Sequence, residues 1–132
     1  MSQFDLSLVL ACYNEEPHLE NSVREIISIL DITKYTYELI FVEDCSHDKT
    51  RDIVNSIIKN HGTVNIRKIL HERNMGRGAA VTDGINVASG DVVGYIDVDL
   101  EIHARYIPSF ILAIKNGNDI AVANRVYKIS LR

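Results

Sequence analysis

The sequence predicts an α/β domain in which a mostly parallel sheet carries helices on both faces. Its hydrophobic residues switch repeatedly between the short continuous runs of buried strands and the spacing of amphipathic helices. These segments alternate in the order β-α-β-α-β-α-β-α-β, and crossover helices of this kind connect parallel strands. The expected fold class is therefore a three-layer α/β/α arrangement around a Rossmann-like sheet.

The first third of the chain predicts a strand, a helix and a second strand. Residues 6–12 form an apolar run broken only by Ser7, which indicates a strand buried on both faces. Residues 15–17, Glu-Glu-Pro, open the helix, because acids and proline both favour a first helical turn. Residues 37–42 predict the second strand. The buried stripe expected for the helix consists of Leu19, Val23, Ile26, Ile27 and Leu30.

The middle of the chain predicts two further helices around a third strand. Residues 46–49 lead into a helix, and residues 64–70 form a more polar strand that we expect near a sheet edge. A loop at residues 74–78 opens the next helix, which runs through Ala88. Gly84 inside that helix costs about 1 kcal/mol relative to alanine, so it indicates close packing at that point. The second helix is expected to bury Ile53, Val54, Ile57 and Ile58.

The last third of the chain predicts a fourth strand, a fourth helix and a short fifth strand. Residues 91–96 form the fourth strand, residues 104–115 the helix, and residues 119–123 the fifth strand. No repeat or linker interrupts the pattern, so we expect one domain over residues 1–124 and a C-terminal tail over residues 125–132. The fourth helix is expected to bury Ile107, Phe110, Ile111 and Ile114.

Composition narrows the class of protein. A net charge of −4 and a pI near 5.7 argue against a nucleic-acid binder. Cys12 and Cys45 fit neither a disulfide framework nor a zinc spacing, and no signal peptide or membrane span is visible, so a cytoplasmic domain is expected. Docking to the cytoplasmic face of a membrane stays open. One basic cluster would suit an anionic ligand or a solvated loop equally well: Arg67, Lys68, His71, Arg73 and Arg77.

The acidic pair Asp97-Val98-Asp99 directly follows the apolar residues of the fourth strand. Residues i and i+2 of a strand face the same way, so the two carboxylates would repel each other unless a cation lies between them. A hard divalent cation prefers oxygen ligands and keeps positions open for substrate phosphates. The alternative is that the acids merely end a strand and begin a turn. Polar clusters also follow strands one and two, and three clusters at one rim of a parallel sheet favour a ligand site.

The residues that follow the predicted strands exclude several classes of phosphate-binding protein. Residues 11–15 contain no glycine, so the G-x-G-x-x-G turn of dinucleotide-binding folds is missing. No G-x-x-x-x-G-K-[ST] sequence occurs, which excludes a P-loop NTPase. A phospho-receiver domain would need an aspartate after its third strand, where this chain has Leu70-His71-Glu72.

Five motifs in order resemble the family 2 glycosyltransferases of GT-A fold, over about residues 7–125. The resemblance implies a nucleotide-diphospho-sugar-binding fold. Residues 74–80 and 97–101 look most like the polyprenyl-phosphate branch, which includes dolichyl-phosphate mannose synthases. The motifs are Tyr13-Asn14-Glu15, Glu43-Asp44-Cys45-Ser46-His47-Asp48-Lys49-Thr50, Asn74-Met75-Gly76-Arg77-Gly78-Ala79-Ala80, Ala88-Ser89-Gly90-Asp91 and Asp97-Val98-Asp99-Leu100-Glu101.

The resemblance implies roles in donor binding for the residues after the first two strands. Tyr13 and Glu15 would flank the nucleotide base and ribose. Asp44 would accept a hydrogen bond from the base. Ser46 and Asp48 would shape the turn at that point, and helix capping is an alternative role for both.

The resemblance also implies a catalytic and metal-binding set. Asp97 would lie near the ribose and the metal, and Asp99 would ligate Mg²⁺ or Mn²⁺ bridging the diphosphate. Glu101 stands where this branch often has a glutamine that helps hold the metal; a solvated glutamate is the alternative. Arg77 and Arg125 would face phosphate groups of the donor.

The implied reaction is an inverting transfer of a hexose from a GDP- or UDP-sugar to a polyprenyl phosphate or related acceptor. The oxygen of a lipid phosphate is already anionic at neutral pH, so no general base is required. Glu43 and Cys45 depart from the family's usual aspartate and frequent glycine. Members of this family continue with an acceptor-binding half, which this sequence, ending at Arg132, does not contain. The rival hypothesis is therefore a nucleotide-sugar-binding module without turnover. Uncovered apolar surface near the fifth strand and fourth helix would then favour self-association.

Overall fold

The computed structural model describes residues 2–126 and builds a single four-stranded sheet with helices on both faces. One turn of 3₁₀ helix, Ala104–Tyr106, leads into the last α-helix. The elements are β1 (Phe4–Cys12), α1 (Leu19–Ile32), β2 (Tyr37–Glu43), α2 (Thr50–Asn60), β3 (Asn65–Leu70), α3 (Arg77–Val87), β4 (Gly90–Tyr95) and α4 (Ile107–Lys115).

The strand order is β3-β2-β1-β4, and every neighbouring pair is parallel. Val9 in the middle of β1 lies opposite Ile40 of β2 on one side and Tyr95 of β4 on the other. The chain first steps from β1 to β2 to β3 and then returns to place β4 on the other side of β1. The strand order therefore reverses between β1 and β4, where ligands of open α/β sheets bind. β3 lies at the sheet edge, which confirms the expectation from its polarity.

The two faces of the sheet carry cores of different size. Leu6, Leu8 and Leu10 of β1 point into the larger core, which α1, α2 and α4 cover. The alternate residue Val9 faces the smaller core, which packs under α3. Both sets are at most 3% exposed, because β1 is the central strand and is covered on both faces. The three-layer α/β/α class is thus confirmed.

The fifth strand expected over residues 119–123 is wrong. These residues carry no regular secondary structure in the described chain, and the side chains of Ile120 and Val122 are 79% and 78% exposed. Their alternating pattern satisfies the local requirement for a strand, but a strand also needs a hydrogen-bonded neighbour. No helix within residues 2–126 is long and apolar enough to cross a membrane. The predicted tail at residues 125–132 lies mostly outside the described residues, and the predicted self-association remains a prediction that light scattering tests.

The close packing expected at Gly84 is present. A Cβ at this position would lie 2.4 Å from Cγ1 of Val9 and 3.2 Å from Cγ2 of Val42. Both valines belong to buried strands of the sheet, so neither can retreat without disturbing β1 or β2. The glycine lets α3 approach the sheet directly above its central strands.

Replacing Gly84 by alanine is therefore expected to destabilise the fold. Overpacking of a core typically costs about 1–3 kcal/mol, against a gain near 1 kcal/mol from alanine's helix propensity. Gly78 in the same helix is the matched control, because a Cβ there meets nothing within 4 Å. We expect Gly78→Ala to raise the free energy of unfolding and Gly84→Ala to lower it in urea denaturation. Equal stability of the two variants would contradict the packing argument.

Candidate active site

A cleft of about 430 Å³ opens at the carboxyl ends of β1 and β4, where the strand order reverses. Six of the residues that the sequence assigned to a site line this cleft: Tyr13, Glu15, Asp44, Arg77, Asp97 and Asp99. The remaining lining residues are Ala11, Cys12, Asn74, Gly76, Ala80 and Val98. Ser46, Glu101 and Arg125 are not among the lining residues.

Asp97 and Asp99 lie in a tight turn just beyond the end of β4. Val98 between them is only 2% exposed and packs into the larger core, while both aspartates are exposed toward the cleft. The backbone N–H of Leu100 donates to the carbonyl of Asp97 at 3.0 Å, and Leu100 has a φ of 53°. The buried valine therefore fixes the turn, and the two carboxylates project on the open side.

Arg77, the first residue of α3, forms an ion pair with Asp97 across the cleft. Its Nε donates to Oδ1 of Asp97 at 2.9 Å, and Nη2 donates to the same oxygen. The guanidinium carbon also lies 5.3 Å from the centre of the Tyr95 ring. The hydrogen bond to Asp97 raises the pKa of Arg77, although partial burial opposes this. One cation of the chain thus neutralises one carboxylate of the pair.

Excess negative charge remains around Asp99. Glu15 has a raised pKa, first because it is partly buried and then because Asp99 and Asp97 repel its charged form, while His18 acts in the opposite direction. The Oδ1 atom of Asp99 accepts a 3.1 Å hydrogen bond from the backbone N–H of Glu101. Carboxylates held close enough to raise a neighbour's pKa are suited to binding a cation.

The donor set suits a divalent cation that brings other ligands with it. Within residues 2–126, no group of three or more His, Cys, Asp or Glu side chains lies close enough to hold a metal ion. The expected three-carboxylate set is therefore not assembled, and Glu101 instead pairs with Arg125 at 2.8 Å. Asp97 and Asp99 remain as the candidate metal ligands. Mg²⁺ commonly binds through one or two carboxylates, with substrate phosphates and water completing its shell.

Hydrogen bonds join the loop after β1 to the loop after β2. The backbone N–H of Asn14 donates to Oγ of Ser46 at 3.0 Å, and the N–H of His47 returns a bond to Oδ1 of Asn14 at 2.9 Å. The N–H of Glu15 donates to Oγ1 of Thr50 at 2.8 Å. Ser46 therefore shapes this turn by tying it to the neighbouring loop and does not cap α2. The hydrogen bonds between the two loops hold Tyr13 at the cleft.

The same contacts explain why α1 begins later than the sequence suggested. The residues Glu-Glu-Pro at 15–17 form a turn, and the helix starts at Leu19. The backbone N–H of Glu16 donates to Asp48 at 3.2 Å, and the carboxylate of Glu16 accepts from the N–H of Lys49 at 3.1 Å. These bonds to the second loop replace the first turn of the expected helix.

Asp44 is 2% exposed and anchors the loop that begins α3. Its Oδ1 accepts from the backbone N–H of Met75 at 2.8 Å and from Nδ1 of His71 at 2.7 Å. Its Oδ2 accepts from the N–H of Gly76 at 2.9 Å and from Nδ2 of Asn74 at 3.1 Å. Burial alone would raise the pKa of Asp44, but these hydrogen bonds together outweigh it and lower the pKa. The carboxylate positions the wall of the cleft, and its predicted contact with a base remains a prediction.

His71, which the sequence placed only in the basic cluster, supports the cleft from behind. Its ring is buried between Asp44 and Asp83 of α3, with Nε2 placed 2.8 Å from Oδ2 of Asp83. The hydrogen bond to Asp44 raises the pKa of His71, burial opposes the rise, and the contact with Asp83 adds to it. The ring thereby links β2, the loop after β3 and the third helix behind the cleft.

The His71 bridge predicts a pH dependence of stability. A raised pKa in the folded state gives a contribution that is complete below the unfolded value of about 6.5 and is lost as pH rises through the folded pKa. We expect the free energy of unfolding to fall over that range and His71→Gln to flatten the dependence. His61 at the C-terminal end of α2 provides the control variant His61→Gln. A wild-type profile that stays flat above pH 6.5 would overturn the prediction.

Glu43 and Cys45, the two residues that differ from the family motif after β2, both occupy constrained positions. Cys45 has a φ of 60°, the left-handed region that costs an ordinary residue roughly 1–2 kcal/mol, which explains why glycine is frequent there. Glu43 is fully buried; its Oε1 accepts from the N–H of Ser46 at 2.7 Å and its Oε2 from Nε of Arg51 at 2.8 Å. The longer side chain of Glu43 reaches both the loop and the next helix.

The basic cluster of the sequence does not form one patch. Arg67 pairs with Glu38 near the amino ends of the strands, at the opposite end of the sheet from the cleft. Lys68 bonds to Asn55 of α2. Of the five basic residues only Arg77 lines the cleft. Of the two alternatives left open by the sequence, a single anion-binding cluster is therefore not what the structure shows.

Comparison with known proteins agrees with this architecture. The sequence pattern of "Glycosyl transferase family 2" matches residues 7–131. A dolichol-phosphate mannosyltransferase of Pyrococcus furiosus is 34% identical over 93% of this chain and 34% of its own length. An undecaprenyl-phosphate 4-deoxy-4-formamido-L-arabinose transferase of Aeromonas hydrophila is 30% identical over 87% of this chain and 35% of its own length. The chain thus spans about a third of the length of these curated relatives.

Solved structures share the fold. The mannosyltransferase PcManGT of Pyrobaculum calidifontis, in complex with GDP-Man and Mn²⁺, matches 85% of this chain and 32% of that protein with a TM-score of 0.69 at 21% identity. Residues 1–349 of S. aureus TarS in complex with UDP-GlcNAc match 72% of this chain and 26% of that fragment with a TM-score of 0.52 at 26% identity. These matches confirm the predicted fold class. With the family pattern covering nearly the whole sequence, the chain belongs to glycosyl transferase family 2.

Proposed function

We propose that this chain binds a nucleotide-diphosphate hexose and transfers the sugar, with inversion, to a polyprenyl phosphate or a related acceptor. The observation that carries the proposal is the exposed pair of carboxylates, Asp97 and Asp99, in a cleft at the strand-order reversal, where Arg77 pairs with Asp97. The two carboxylates suit a divalent cation, and the guanidinium suits the phosphate oxygens that the cation carries.

The proposed metal is Mg²⁺ or Mn²⁺, held by Asp99 and Asp97. When bound, the ion would supply positive charge to the diphosphate as the sugar leaves, without any proton transfer. Glu101 stays a proposed additional ligand only if it leaves Arg125, with which it pairs in this structure. Arg125 would meet a donor phosphate only after the same exchange.

The remaining cleft residues bind and orient the donor in this proposal. Tyr13, 40% exposed at the rim, and Glu15 would flank the base and ribose. Arg77 would contact the diphosphate, because its guanidinium is a fork that matches phosphate oxygens. Asp44 and its four donors hold the loop at residues 74–76 in place, so the cleft wall needs no rearrangement when the donor enters.

The proposed substrates follow from the relatives. The Pyrococcus and Aeromonas proteins carry names that specify dolichol phosphate and undecaprenyl phosphate, which supports a lipid-phosphate acceptor. TarS was solved with UDP-GlcNAc, which supports a nucleotide sugar as the donor. GDP- and UDP-hexoses both remain candidates. A lipid acceptor would place the chain at the cytoplasmic face of a membrane as a peripheral protein.

A donor panel tests the proposal. Thermal shift with GDP- and UDP-hexoses in the presence of Mn²⁺ should identify one donor that raises Tm, because specific binding stabilises the folded state by mass action. That donor is then incubated with polyprenyl phosphate, and both released nucleoside diphosphate and lipid-linked sugar are measured. Product formation supports the transferase. Binding without release or transfer would leave only the nucleotide-sugar-binding module, and no binding at all would contradict both.

A further inference from the structure

Arg77 combines a fixed backbone with an exposed head group. Its peptide follows Gly76, whose φ of 93° and whose N–H bond to Asp44 set the position where α3 begins. The side chain itself is 57% exposed, and its partner Asp97 is 48% exposed. A partly exposed ion pair of this kind is worth at most about 1 kcal/mol, so ligands can replace it.

The guanidinium covers the surface that a metal ion would use. Two of its nitrogens converge on Oδ1 of Asp97, and its plane is supported by the ring of Tyr95. A divalent ion at Asp97 would meet this fixed positive charge at a few ångströms, where like charges repel appreciably even in water. Within residues 2–126, no arginine or lysine pairs with Asp99, whose Oδ1 accepts a hydrogen bond from the backbone N–H of Glu101.

We propose that Arg77 occupies the metal's place at Asp97 in the donor-free protein, so that metal and diphosphate must bind together to displace it. The inference rests on the proposed function. When a diphosphate arrives with the ion, each charge exchanges its partner: Arg77 moves to phosphate oxygens and Asp97 turns to the metal. The pair thereby keeps a free divalent ion from binding the empty site tightly, and it couples metal affinity to the nucleotide.

Binding of Mn²⁺ to the nucleotide-free protein, measured from the free-ion signal in electron paramagnetic resonance, tests this coupling. Arg77→Gln is expected to bind Mn²⁺ about tenfold more tightly than wild type, because it removes both the competing contact and a repelling charge. Arg73→Gln is the matched control; it removes the same charge from a residue outside the cleft and should change the affinity by less than about twofold. With GDP or UDP present, the advantage of Arg77→Gln should shrink or reverse.

A double-mutant cycle separates displacement at Asp97 from general electrostatics. In an Asp97→Asn background, Arg77→Gln should gain less than about threefold in Mn²⁺ affinity, because the contested ligand is gone and only the general repulsion by the guanidinium is removed. A full tenfold gain in that background, or an Arg77→Gln affinity equal to wild type while Asp97→Asn alone weakens binding, overturns the inference and leaves the proposed metal site standing. Mn²⁺ binding that is absent, or indifferent to Asp97→Asn in every variant, overturns the metal site as well.

Discussion

Alanine in place of Asp99 is expected to abolish metal-dependent donor binding and to lower sugar transfer by roughly 10²-fold or more. Asp99 is the carboxylate of the pair that Arg77 does not neutralise, so it is the ligand best placed to receive a metal that carries a diphosphate. Its side chain is exposed and, among residues 2–126, accepts a single backbone hydrogen bond, from Glu101. The fold should therefore survive the change, and Tm without ligands should stay close to that of wild type.

The control for this variant is Asp91→Ala. Asp91 is an exposed aspartate near the amino end of β4, at the far end of the strand from the cleft, where it contacts Ser2. The Asp91→Ala variant removes the same charge at a site away from the cleft, so it should leave donor binding and transfer unchanged. Calorimetry with the preferred donor compares the two variants. Metal-dependent binding by Asp99→Ala at wild-type affinity would remove the proposed role of this carboxylate.

Glu38→Ala is expected to cause the largest loss of folding stability, about 2–3 kcal/mol, because buried donors lose their acceptor. Glu38 is 2% exposed and forms the centre of a polar network at the amino ends of the strands. It accepts from Oγ of Ser7 at 2.6 Å, from the N–H and Oγ of Ser89 at 3.0 and 2.9 Å, and from two nitrogens of Arg67 at 3.0 Å. Truncation would leave the buried hydroxyl of Ser7 without this acceptor. Arg67, whose side chain is 46% exposed, would keep water and the carbonyl of Val87 as partners, so it adds little to the loss.

The Glu38 network also predicts behaviour in acid. Burial alone would raise the pKa of Glu38, but the bonds from Ser7, Arg67 and Ser89 together lower it. A lowered pKa in the folded state gives stability that is complete above the unfolded value of about 4.3 and is lost as pH falls through the folded pKa. Wild type should lose this contribution in acid, and Glu38→Ala should have lost it already at neutral pH.

Urea denaturation at neutral and acidic pH measures both effects. Glu20→Ala is the control, since Glu20 is 67% exposed and its pairing with Arg24 at 3.7 Å is a surface contact worth about 0.5 kcal/mol or less. An unfolding free energy of Glu38→Ala within 1 kcal/mol of the control would contradict the account of the buried network.

The fold could be predicted because its main signals are local. The apolar run of β1 and the helical stripe of α1 each identify their element without knowledge of the rest of the chain. The polarity of β3 even indicated its place at the edge. The segment at residues 119–123 shows the limit of such signals. Its alternation is as regular as a strand's, but pairing depends on a neighbour that local sequence does not specify.

The candidate site could be predicted where acidic residues stand at the carboxyl ends of predicted strands. Acidic residues directly after strands one, two and four pointed to the rim at which the cleft opens. The contacts that organise this rim were not predictable, because they join residues far apart in sequence. His71 meets Asp44 across 27 positions, and Arg77 meets Asp97 across 20. No spacing rule predicts such pairs, because the strand order β3-β2-β1-β4 brings them together only once the chain has folded.

The most direct test of the central claim is calorimetric titration of GDP- and UDP-hexoses into the wild-type chain, with Mn²⁺ or with a chelator. The account predicts that at least one donor binds when Mn²⁺ is present, that the chelator abolishes this binding, and that Asp99→Ala abolishes it too. If no donor binds, or if one binds equally well with the chelator and without it, the cleft between β1 and β4 is not a metal-dependent nucleotide-sugar site.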